Sequence, residues 1–447
     1  MTAAIAAPAS AQFSPGASGL GDEYFPFAGN GGYDVGHYIL RLDYDPATDA
    51  LDGHVTVMAT ATQGLSSFNL DLRGFDIASL TVDDRPATFL RDGQELIVTP
   101  ASPIEDGARF EVNVRYSGVP EVITDPDDSI EGWIPTDDGA FVVNEPQGSP
   151  GWYPANDNPR DKATFDFRVT VPEGKVALSN GVLRSHRTVR GKTTWRWSQD
   201  EPMAPYLATA TNGDFDTNFY ETDDGLPVYV AIDKPERSGA NLARIPEIID
   251  LFSDLYGSYP FAAAGGIADN AGFVGYALET QTKANYANDP SLATTVHEVA
   301  HEWFGNAVSL TEWKDIWLNE GFARWSEWIW TEKQGGTSAS ATFHAQYDAR
   351  PASSSFWTRP PADVGGPEFM FSDQPYRRGA MTLQALRETI GDEDFFELLR
   401  TWYAENRYRN VTTADFIDTA ERVSGEELSD FFDAWLYQPT RPPLPGA

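Results

Sequence analysis

Two histidines in the second half of the chain have the type and spacing that a metal site requires. The segment His297-Glu-Val-Ala-His301 has helical spacing, and residues four apart share one face of a helix, so both imidazoles can reach one metal ion. Glu298 is offset by one residue and can reach a water molecule at the metal without binding the metal itself. A zinc site of this kind needs three protein ligands and one open position for water.

The third ligand must therefore come from another part of the chain. Residues 302–319 separate His301 from Glu320, which we place at the opening of a second helix that points back at the first. Two of the six histidines in the chain could still share a helix by coincidence. The segment Trp317-Leu-Asn-Glu-Gly321 at this distance makes such a coincidence remote.

The elements that must position these residues change character along the chain. The first half alternates apolar and polar residues between Asp, Gly and Pro turns, which predicts an antiparallel sheet with one solvated face. Its predicted strands include Tyr38–Tyr44, His54–Thr60, Glu95–Thr99, Phe110–Tyr116, Thr164–Val171 and Leu207–Ala210. One further strand is expected at Pro227–Ile232.

The second half has helical spacing instead. Its predicted helices are Ala240–Leu255, Ser291–Phe304, Gly321–Trp330, Tyr376–Ile390, Asp394–Tyr403, Thr413–Val423 and Leu428–Leu436. We predict an α+β protein with a leader at 1–19, a β domain at 20–225 and a helical domain at 226–447.

Composition excludes several classes of protein. The 67 acidic residues exceed the 32 lysines and arginines, so the formal charge is −35, which disfavours nucleic-acid and membrane-surface partners. No stretch is apolar over the roughly 20 residues that span a bilayer. Cysteine is absent, which excludes disulfides and thiol chemistry and favours a secreted bacterial protein over a cytoplasmic one. Ala-Ser-Ala at 9–11 resembles a signal-cleavage site, and residues 1–19 are expected to be a disordered leader or signal remnant.

A family resemblance carries these predictions further. The segments HEVAHEWFGN and WKDIWLNEGFARW resemble the zinc core of the aminopeptidase N family of gluzincin metallopeptidases. The resemblance implies a saddle-like β domain followed by a thermolysin-like catalytic domain. It implies one zinc ion per chain, bound by His297, His301 and Glu320, with Glu298 as general base.

Three further segments are similar to family motifs that bind substrate. Gly275-Tyr-Ala-Leu-Glu-Thr280 stands where the family has Gly-Ala-Met-Glu-Asn, which implies that Glu279 binds the α-amine and that Ala277 and Leu278 contact the substrate. Asn144-Glu-Pro146 implies Glu145 as a second amine-binding acid. Tyr376-Arg-Arg-Gly-Ala380 implies a tyrosine hydroxyl that stabilises the oxyanion. The expected partners are peptides with a free N-terminus.

The chain departs from the family pattern at three points. Tyr276 replaces a motif glycine, and Val143 replaces a glutamine that contacts substrate in many relatives. The chain also ends soon after the catalytic segments, so we expect no large C-terminal helical domain and a more open site. For the neighbours of the imidazoles we consider Asp315 and Asn319, either as their hydrogen-bond partners or as ordinary capping residues.

Two alternatives to an aminopeptidase stay open. A thermolysin-like endopeptidase shares the metal ligands but has no reason to place a carboxylate such as Glu279 at the amine end of its cleft. A non-catalytic binding relative typically loses the ligands or the base, whereas the three expected ligands and the base are all present here. Five tryptophans around the metal segments are expected to be core rather than a sugar platform, and His344 is expected on the surface; the tryptophans are Trp313, Trp317, Trp325, Trp328 and Trp330.

Overall fold

The first half of the protein is built from strands, as the alternating pattern predicts. A computed structural model describes residues 12–233 and 239–446. The strands of the first half are β1 Ser14–Pro15, β2 Tyr33–Asp45, β3 Ala50–Ala61, β4 Leu65–Asp71, β5 Asp76–Val82, β6 Arg85–Pro86, β7 Thr88–Asp92, β8 Glu95–Thr99, β9 Arg109–Gly118, β10 Val122–Thr124, β11 Ile130–Pro135, β12 Ala140–Val143, β13 Ala163–Pro172, β14 Val176–Ala177, β15 Val182–Val189, β16 Lys192–Met203 and β17 Asn212–Gly213.

The largest sheet has eight strands in the order β15-β16-β13-β2-β3-β9-β5-β6. Along β13 every second residue is buried, because alternate side chains point to opposite faces and only one face packs on the core. The sheet is antiparallel except between β2 and β13, which pair in parallel. Two smaller sheets, β1-β4-β8-β7 and β10-β11-β12-β17-β14, complete the β-rich half.

The prediction of a disordered leader is wrong for residues 12–19. Strand β1 pairs in parallel with β4, and the amide of Gly16 donates to the carbonyl of Ser67 at 2.9 Å. Main-chain hydrogen bonds therefore fix this segment although its composition is that of a turn. The predicted cleavage site at 9–11 lies outside the described residues.

The second half combines a small mixed sheet with helices. Its strands are β18 Phe215–Glu221, β19 Pro227–Asp233, β20 Ala264–Ala268, β21 Ala277–Leu278, β22 Ala284–Tyr286, β23 Ser309–Leu310 and β24 Asn410–Val411. Its helices are α1 Ile245–Tyr256, α2 Leu292–His301, α3 Trp317–Lys333, α4 Ala339–Asp348, α5 Gly379–Ile390, α6 Asp392–Asn406, α7 Thr413–Ser424 and α8 Ser429–Phe432. Two π-helical turns, Gln374–Arg378 and Asp433–Tyr437, precede α5 and follow α8.

The sheet of the second half has the order β18-β19-β20-β22-β21. The division predicted at residue 225 falls in the turn between β18 and β19, which pair as an antiparallel hairpin. A buried apolar cluster joins the halves, because β11 and β12 pack there against the segments around β21 and β22; its members are Ile134, Phe141, Val143, Ala271, Val274, Leu278 and Ala287.

Several predicted elements change at their ends. Helix α3 begins at Trp317, four residues before the predicted start at Gly321, and Glu320 lies in its first turn. The predicted strand at 207–210 is wrong, since a 3-10 turn ends at Leu207 and the following residues join no strand. Helix α4 was not predicted because its apolar periodicity is weak, although Ser338 caps it by accepting from the amide of Ala341. It carries His344, whose side chain is 42% exposed and lies 3.1 Å from Glu388.

The five tryptophans around the metal segments are buried, as predicted for core residues. Among the residues that the structure describes, no helix combines the length and the apolar character needed to cross a membrane.

Helices α3 and α5 touch through two glycines that belong to the sequence motifs of the site. A Cβ atom added at Gly321 would lie 2.9 Å from Cα of Gly379 and 3.3 Å from the carbonyl oxygen of Pro375. Only glycine at both positions lets the two backbones approach this closely. The contact sets the segment 374–378, with Tyr376, against the helix that carries Glu320.

We expect Gly321→Ala to push α5 away from α3, because the new methyl group meets backbone atoms that cannot rotate aside. The free energy of unfolding, measured by urea denaturation, should fall by about 1–3 kcal/mol, the usual cost of overpacking. Thr331→Ala, at an exposed position of α3, is the control. Wild-type stability in Gly321→Ala would show that the glycine contact does not constrain the two helices.

Candidate metal and substrate site

Helices α2 and α3 bring the three predicted metal ligands together. Nε2 of His297 lies 3.1 Å from Oε2 of Glu320, and Nε2 of His301 lies 3.6 Å from the same oxygen. One ligand atom from each residue falls within 4.8 Å of the other two, and all three residues are buried. Two imidazole nitrogens and a carboxylate oxygen at these separations could hold one divalent cation.

The local sequence explains the geometry of α2. Ser291 caps the helix by accepting a hydrogen bond from the amide of Thr294 at 3.1 Å, which fixes where the helix begins. Beyond its end, Gly305 has a φ of 126°, and a Cβ atom there would lie 3.2 Å from Nδ1 of His301. This glycine lets the chain turn tightly under the imidazole.

The outer nitrogens of the imidazoles are bonded to groups that orient both rings. Nδ1 of His297 lies 2.8 Å from Oε1 of Glu327, and Nδ1 of His301 lies 3.0 Å from the carbonyl oxygen of Phe304. These bonds leave both Nε2 atoms facing Glu320. The sequence interpretation missed Glu327, although it lies seven residues, two helical turns, after Glu320 on the same helix.

The residues considered for this orienting role do not take it. Asp315 accepts a hydrogen bond from Oγ1 of Thr413 at 2.6 Å, and the same Thr413 accepts from the indole of Trp317 at 2.8 Å. Asp315, in the turn before α3, and Trp317, in the first turn of α3, therefore tie the start of this helix to α7. Asn319 is buried, but the two ring nitrogens of His301 face Phe304 and Glu320. The side-chain amide of Asn319 is therefore not a partner of His301.

The carboxylates around His297 and His301 favour positive charge at this cluster. Burial disfavours protonation of His297, yet hydrogen bonds to Glu320 and Glu327 outweigh burial and raise the pKa of the imidazole to about 10. Burial likewise opposes protonation of His301, but Glu279 and Glu320 raise its pKa to about 9. A cluster that holds protons so strongly is also a strong site for a divalent cation, which competes for the same lone pairs. The residues present therefore fit a metal.

Glu298 and Tyr376 lie beside this cluster. Burial raises the pKa of Glu298 to about 7, against the opposing effect of the two imidazoles. The ring of Tyr376 stacks on that of His297 at 6.0 Å between centroids, with 17° between the planes. Burial and the nearby carboxylates, Glu320 first, raise the pKa of its phenol well above 10, so it stays a hydrogen-bond donor.

Glu145 and Glu279 lie in the same cavity as the metal cluster, with no hydrogen-bond partner for one oxygen each. Their side chains are only 7% and 3% exposed, and Oε1 of each has no partner among the described residues. Burial and then the charge of Glu279 raise the pKa of Glu145. Unpaired buried carboxylates are costly unless a cation joins them. The cavity measures about 540 Å³ and also contains Ala277, Tyr276 and Phe371 in its wall.

Leu278 does not line this cavity, which corrects the prediction that it contacts substrate. Leu278 lies in β21 and pairs with Asn285 of β22, and its buried side chain packs in the apolar cluster between the two halves. Successive side chains of a strand point to opposite sides, so Ala277 faces the cavity and Leu278 does not. Val143 packs in that same cluster, and the hydroxyl of Tyr276 donates to the carbonyl of Ile130 at 2.8 Å.

Comparison with protein families gives two matches, one in each half of the chain. Residues 35–207 match the Peptidase M1 N-terminal domain, and residues 275–435 match the Peptidase family M1 domain. The first covers most of the β-rich half, and the second contains all three predicted metal ligands.

Solved structures show the same arrangement over nearly the whole chain. An M1 zinc metallopeptidase from Deinococcus radiodurans is 29% identical, with a TM-score of 0.87 over 96% of this chain and 98% of that one. A variant of the Deinococcus radiodurans enzyme bound to a Tyr-Ser-Ala substrate has a TM-score of 0.87 at 28% identity, over 96% of this chain and 99% of that one.

Curated relatives are longer than this chain. Aminopeptidase N of Lactococcus lactis is 28% identical over 65% of this chain and 38% of its own length. Glutamyl aminopeptidase of Rattus norvegicus is 26% identical over 90% of this chain and 47% of its own length. The chain thus spans less than half the length of these relatives.

A β-rich domain joined to a helical domain with a His-His-Glu cluster defines a two-domain metallopeptidase architecture. The chain belongs to the M1 family of zinc metallopeptidases.

We expect Glu327→Gln to bind zinc more weakly while keeping one site per chain. The carboxylate of Glu327 orients the imidazole of His297 and increases its basicity. Loss of such a carboxylate typically lowers metal affinity by about 10–100-fold. Competition with a fluorescent chelator measures the dissociation constant. His301→Ala, which removes a ligand outright, should lose most of the zinc; unchanged affinity in Glu327→Gln would remove Glu327 from the metal site.

Proposed function

We propose that this protein is a zinc-dependent aminopeptidase that hydrolyses the first peptide bond of peptides with a free N-terminus. The observation that carries the proposal is the pair Glu145 and Glu279, two buried carboxylates in the cavity of the metal cluster, each with an unpartnered oxygen among the described residues. A peptide's α-ammonium supplies the positive charge that both require. Holding the ammonium there places the first peptide bond over the metal.

In this proposal His297, His301 and Glu320 hold one zinc ion. When bound there, zinc polarises the scissile carbonyl and makes a water molecule more acidic. Glu298, with its pKa raised to about 7, takes a proton from water and passes it to the leaving amine. The protonated hydroxyl of Tyr376 donates a hydrogen bond to the oxygen on which negative charge develops. Glu327 and the Phe304 carbonyl keep both imidazoles in place.

An open-cleft endopeptidase is the second candidate function. It would use the same metal cluster and base, but its substrate would bring no ammonium to the unpartnered oxygens of Glu145 and Glu279 in the buried cavity. The Deinococcus radiodurans variant bound to Tyr-Ser-Ala supports a short peptide as substrate. A non-catalytic binding role fits the site less well, because the base, the tyrosine and all three ligands converge in one cavity.

For location we propose export from a bacterial cell. The support is the complete absence of cysteine, since intracellular enzymes usually keep a few thiols.

We expect Glu298→Gln to keep its zinc and lose nearly all turnover, because an amide cannot accept the proton. Tyr376→Phe should lower kcat by about 100-fold or more with KM little changed, since its hydrogen bond strengthens only as the oxyanion forms. Steady-state kinetics on an aminoacyl p-nitroanilide, with zinc content measured in parallel, tests both. A Phe variant with wild-type kcat would exclude Tyr376 from the mechanism.

The deciding experiment compares a free peptide with its N-acetylated form. Wild-type enzyme should strongly prefer the free amine, because acetylation removes the charge that pairs with Glu279 and Glu145. Glu279→Ala should reduce kcat/KM for the free peptide by about 100-fold, or about 3 kcal/mol, without loss of zinc. Its preference for the free over the acetylated peptide should be smaller than that of the wild-type enzyme. Glu145→Ala should show a weaker form of the same change. Equal cleavage of free and acetylated peptides by wild-type enzyme would overturn the proposal in favour of the endopeptidase.

A further inference from the structure

The cavity of the metal cluster has one cationic side chain besides the two imidazoles. Among the described residues that line it, Arg324 is the only arginine or lysine. It lies on α3, and its Nη1 donates a hydrogen bond to Oε2 of Glu327 at 2.8 Å. Its guanidinium carbon lies 6.0 Å from the centre of the Tyr376 ring. Arg324 is therefore close to the groups that surround the metal ligand His297.

Much of this guanidinium remains available to a ligand. The bond to Glu327 is the only hydrogen bond of the Arg324 side chain within the described part of the chain, and its Nε has no partner there. About a third of the side chain, 32%, is exposed. The carboxylate of Glu327 is shared with His297, whose Nδ1 lies 2.8 Å from its Oε1. Because arginine can bind a carboxylate through two N–H groups, Arg324 retains donors for an anion in the cavity.

Arg324 and Glu279 lie next to different metal ligands. A carboxylate oxygen of Glu279 lies within 4.8 Å of a ring nitrogen of His301, whereas Arg324 and Glu327 adjoin His297. The cavity thus has an acceptor for an ammonium at its His301 end and a donor for an anion at its His297 end. A molecule with an ammonium at one end and a carboxylate at the other matches this distribution of charge.

The first turn of α2 adds positive charge at the His297 end. Ser291, Ala293 and Thr294 belong to the wall of the cavity, one turn before His297. The N-terminus of a helix carries a partial positive charge, which favours an anion beside it. This contribution is secondary to the full charge of Arg324.

The separation of these groups suits a short peptide. Arg324 follows the metal ligand Glu320 by four residues, so the two side chains leave α3 on one face, with Cβ atoms about 5–6 Å apart. Each residue of an extended peptide advances about 3.3–3.6 Å. A carboxylate one or two residues beyond the scissile bond is within reach of the guanidinium, and that of a longer peptide extends past it.

We propose that Arg324 binds the C-terminal carboxylate of the substrate and thereby makes dipeptides and tripeptides the preferred substrates. This inference rests on the proposed aminopeptidase function, which holds the other end of the peptide at Glu279 and Glu145. The arginine is needed because the wall is otherwise rich in carboxylates, which repel a further negative charge. These carboxylates are Asp127, Glu145, Glu279, Glu298, Glu320 and Glu327.

The first test compares Leu-Ala and Leu-Ala-Ala with their C-terminal amides on the zinc-bound wild-type enzyme. Amidation removes the carboxylate and leaves the scissile bond unchanged, so kcat/KM should be about tenfold higher for the free acids. The same comparison on Leu-Ala-Ala-Ala-Ala should give a ratio near one, because its carboxylate extends past Arg324. A ratio near one at all three lengths would overturn the proposal without the need for any variant.

The second test assigns the preference to Arg324. Arg324→Gln should abolish or reverse the ratio of acid to amide for Leu-Ala-Ala, since the cavity then repels the carboxylate. Arg324→Lys should keep part of it, because lysine keeps the charge but not the paired N–H groups. Any loss through Glu327 or Tyr376 affects acid and amide alike and cancels in this ratio.

Arg377→Gln is the matched control. Arg377 also pairs with a carboxylate on its own element, that of Asp373 at 2.9 Å, but it does not line the cavity. Its loss should leave the ratio at the wild-type value. A wild-type ratio in Arg324→Gln would overturn the proposal. Failure of the aminopeptidase function has a different signature, since wild-type enzyme would then cut N-acetylated peptide as readily as free peptide.

Discussion

Burial of several carboxylates in one cavity is the constraint on which the rest of this structure depends. Glu145, Glu279, Glu298 and Glu320 each raise the electrostatic cost of the others, as the elevated pKa of Glu145 shows. Such a cluster is tolerable only beside concentrated positive charge. The two imidazoles and a divalent metal are cations that fit this cluster. In the proposed function the ammonium of the substrate is a third, so the unfavourable charge of the carboxylates would supply affinity for both metal and substrate.

The architecture serves to hold these charges at fixed separations. The glycine contact between α3 and α5 brings Tyr376 to the helix of Glu320, and Gly305 allows the turn beneath His301. Each depends on a missing side chain, because backbones this close leave no room for a methyl group. The β-rich half supplies Glu145 directly, and its Asn180 and Gly181 bond to Gln281 and Thr282, just after Glu279. The cavity is thus a joint product of both halves.

Comparison of prediction with structure shows where sequence reasoning succeeded. The alternating strands and the spacing of the metal segments express local periodicities, so β8 was predicted to the residue and the fold class and family are confirmed. Errors arose where tertiary contacts decide. Residues 12–19 have the composition of a leader yet pair with β4, and Leu278 shares a motif with Glu279 yet faces the apolar cluster.

The sequence by itself determined the set of metal donors, a His-Glu-x-x-His helix and a distant glutamate, because ligand type and helical spacing are local properties. The tertiary structure alone decided which side chains support that chemistry. Glu327 orients His297, whereas Asp315, just before α3, bonds to Thr413 of α7, and Asn306 reaches across to the main chain of Glu279. Polar residues of the same types look equivalent along the chain, and only the packing of helices, loops and strands places one within hydrogen-bond distance and another beyond it.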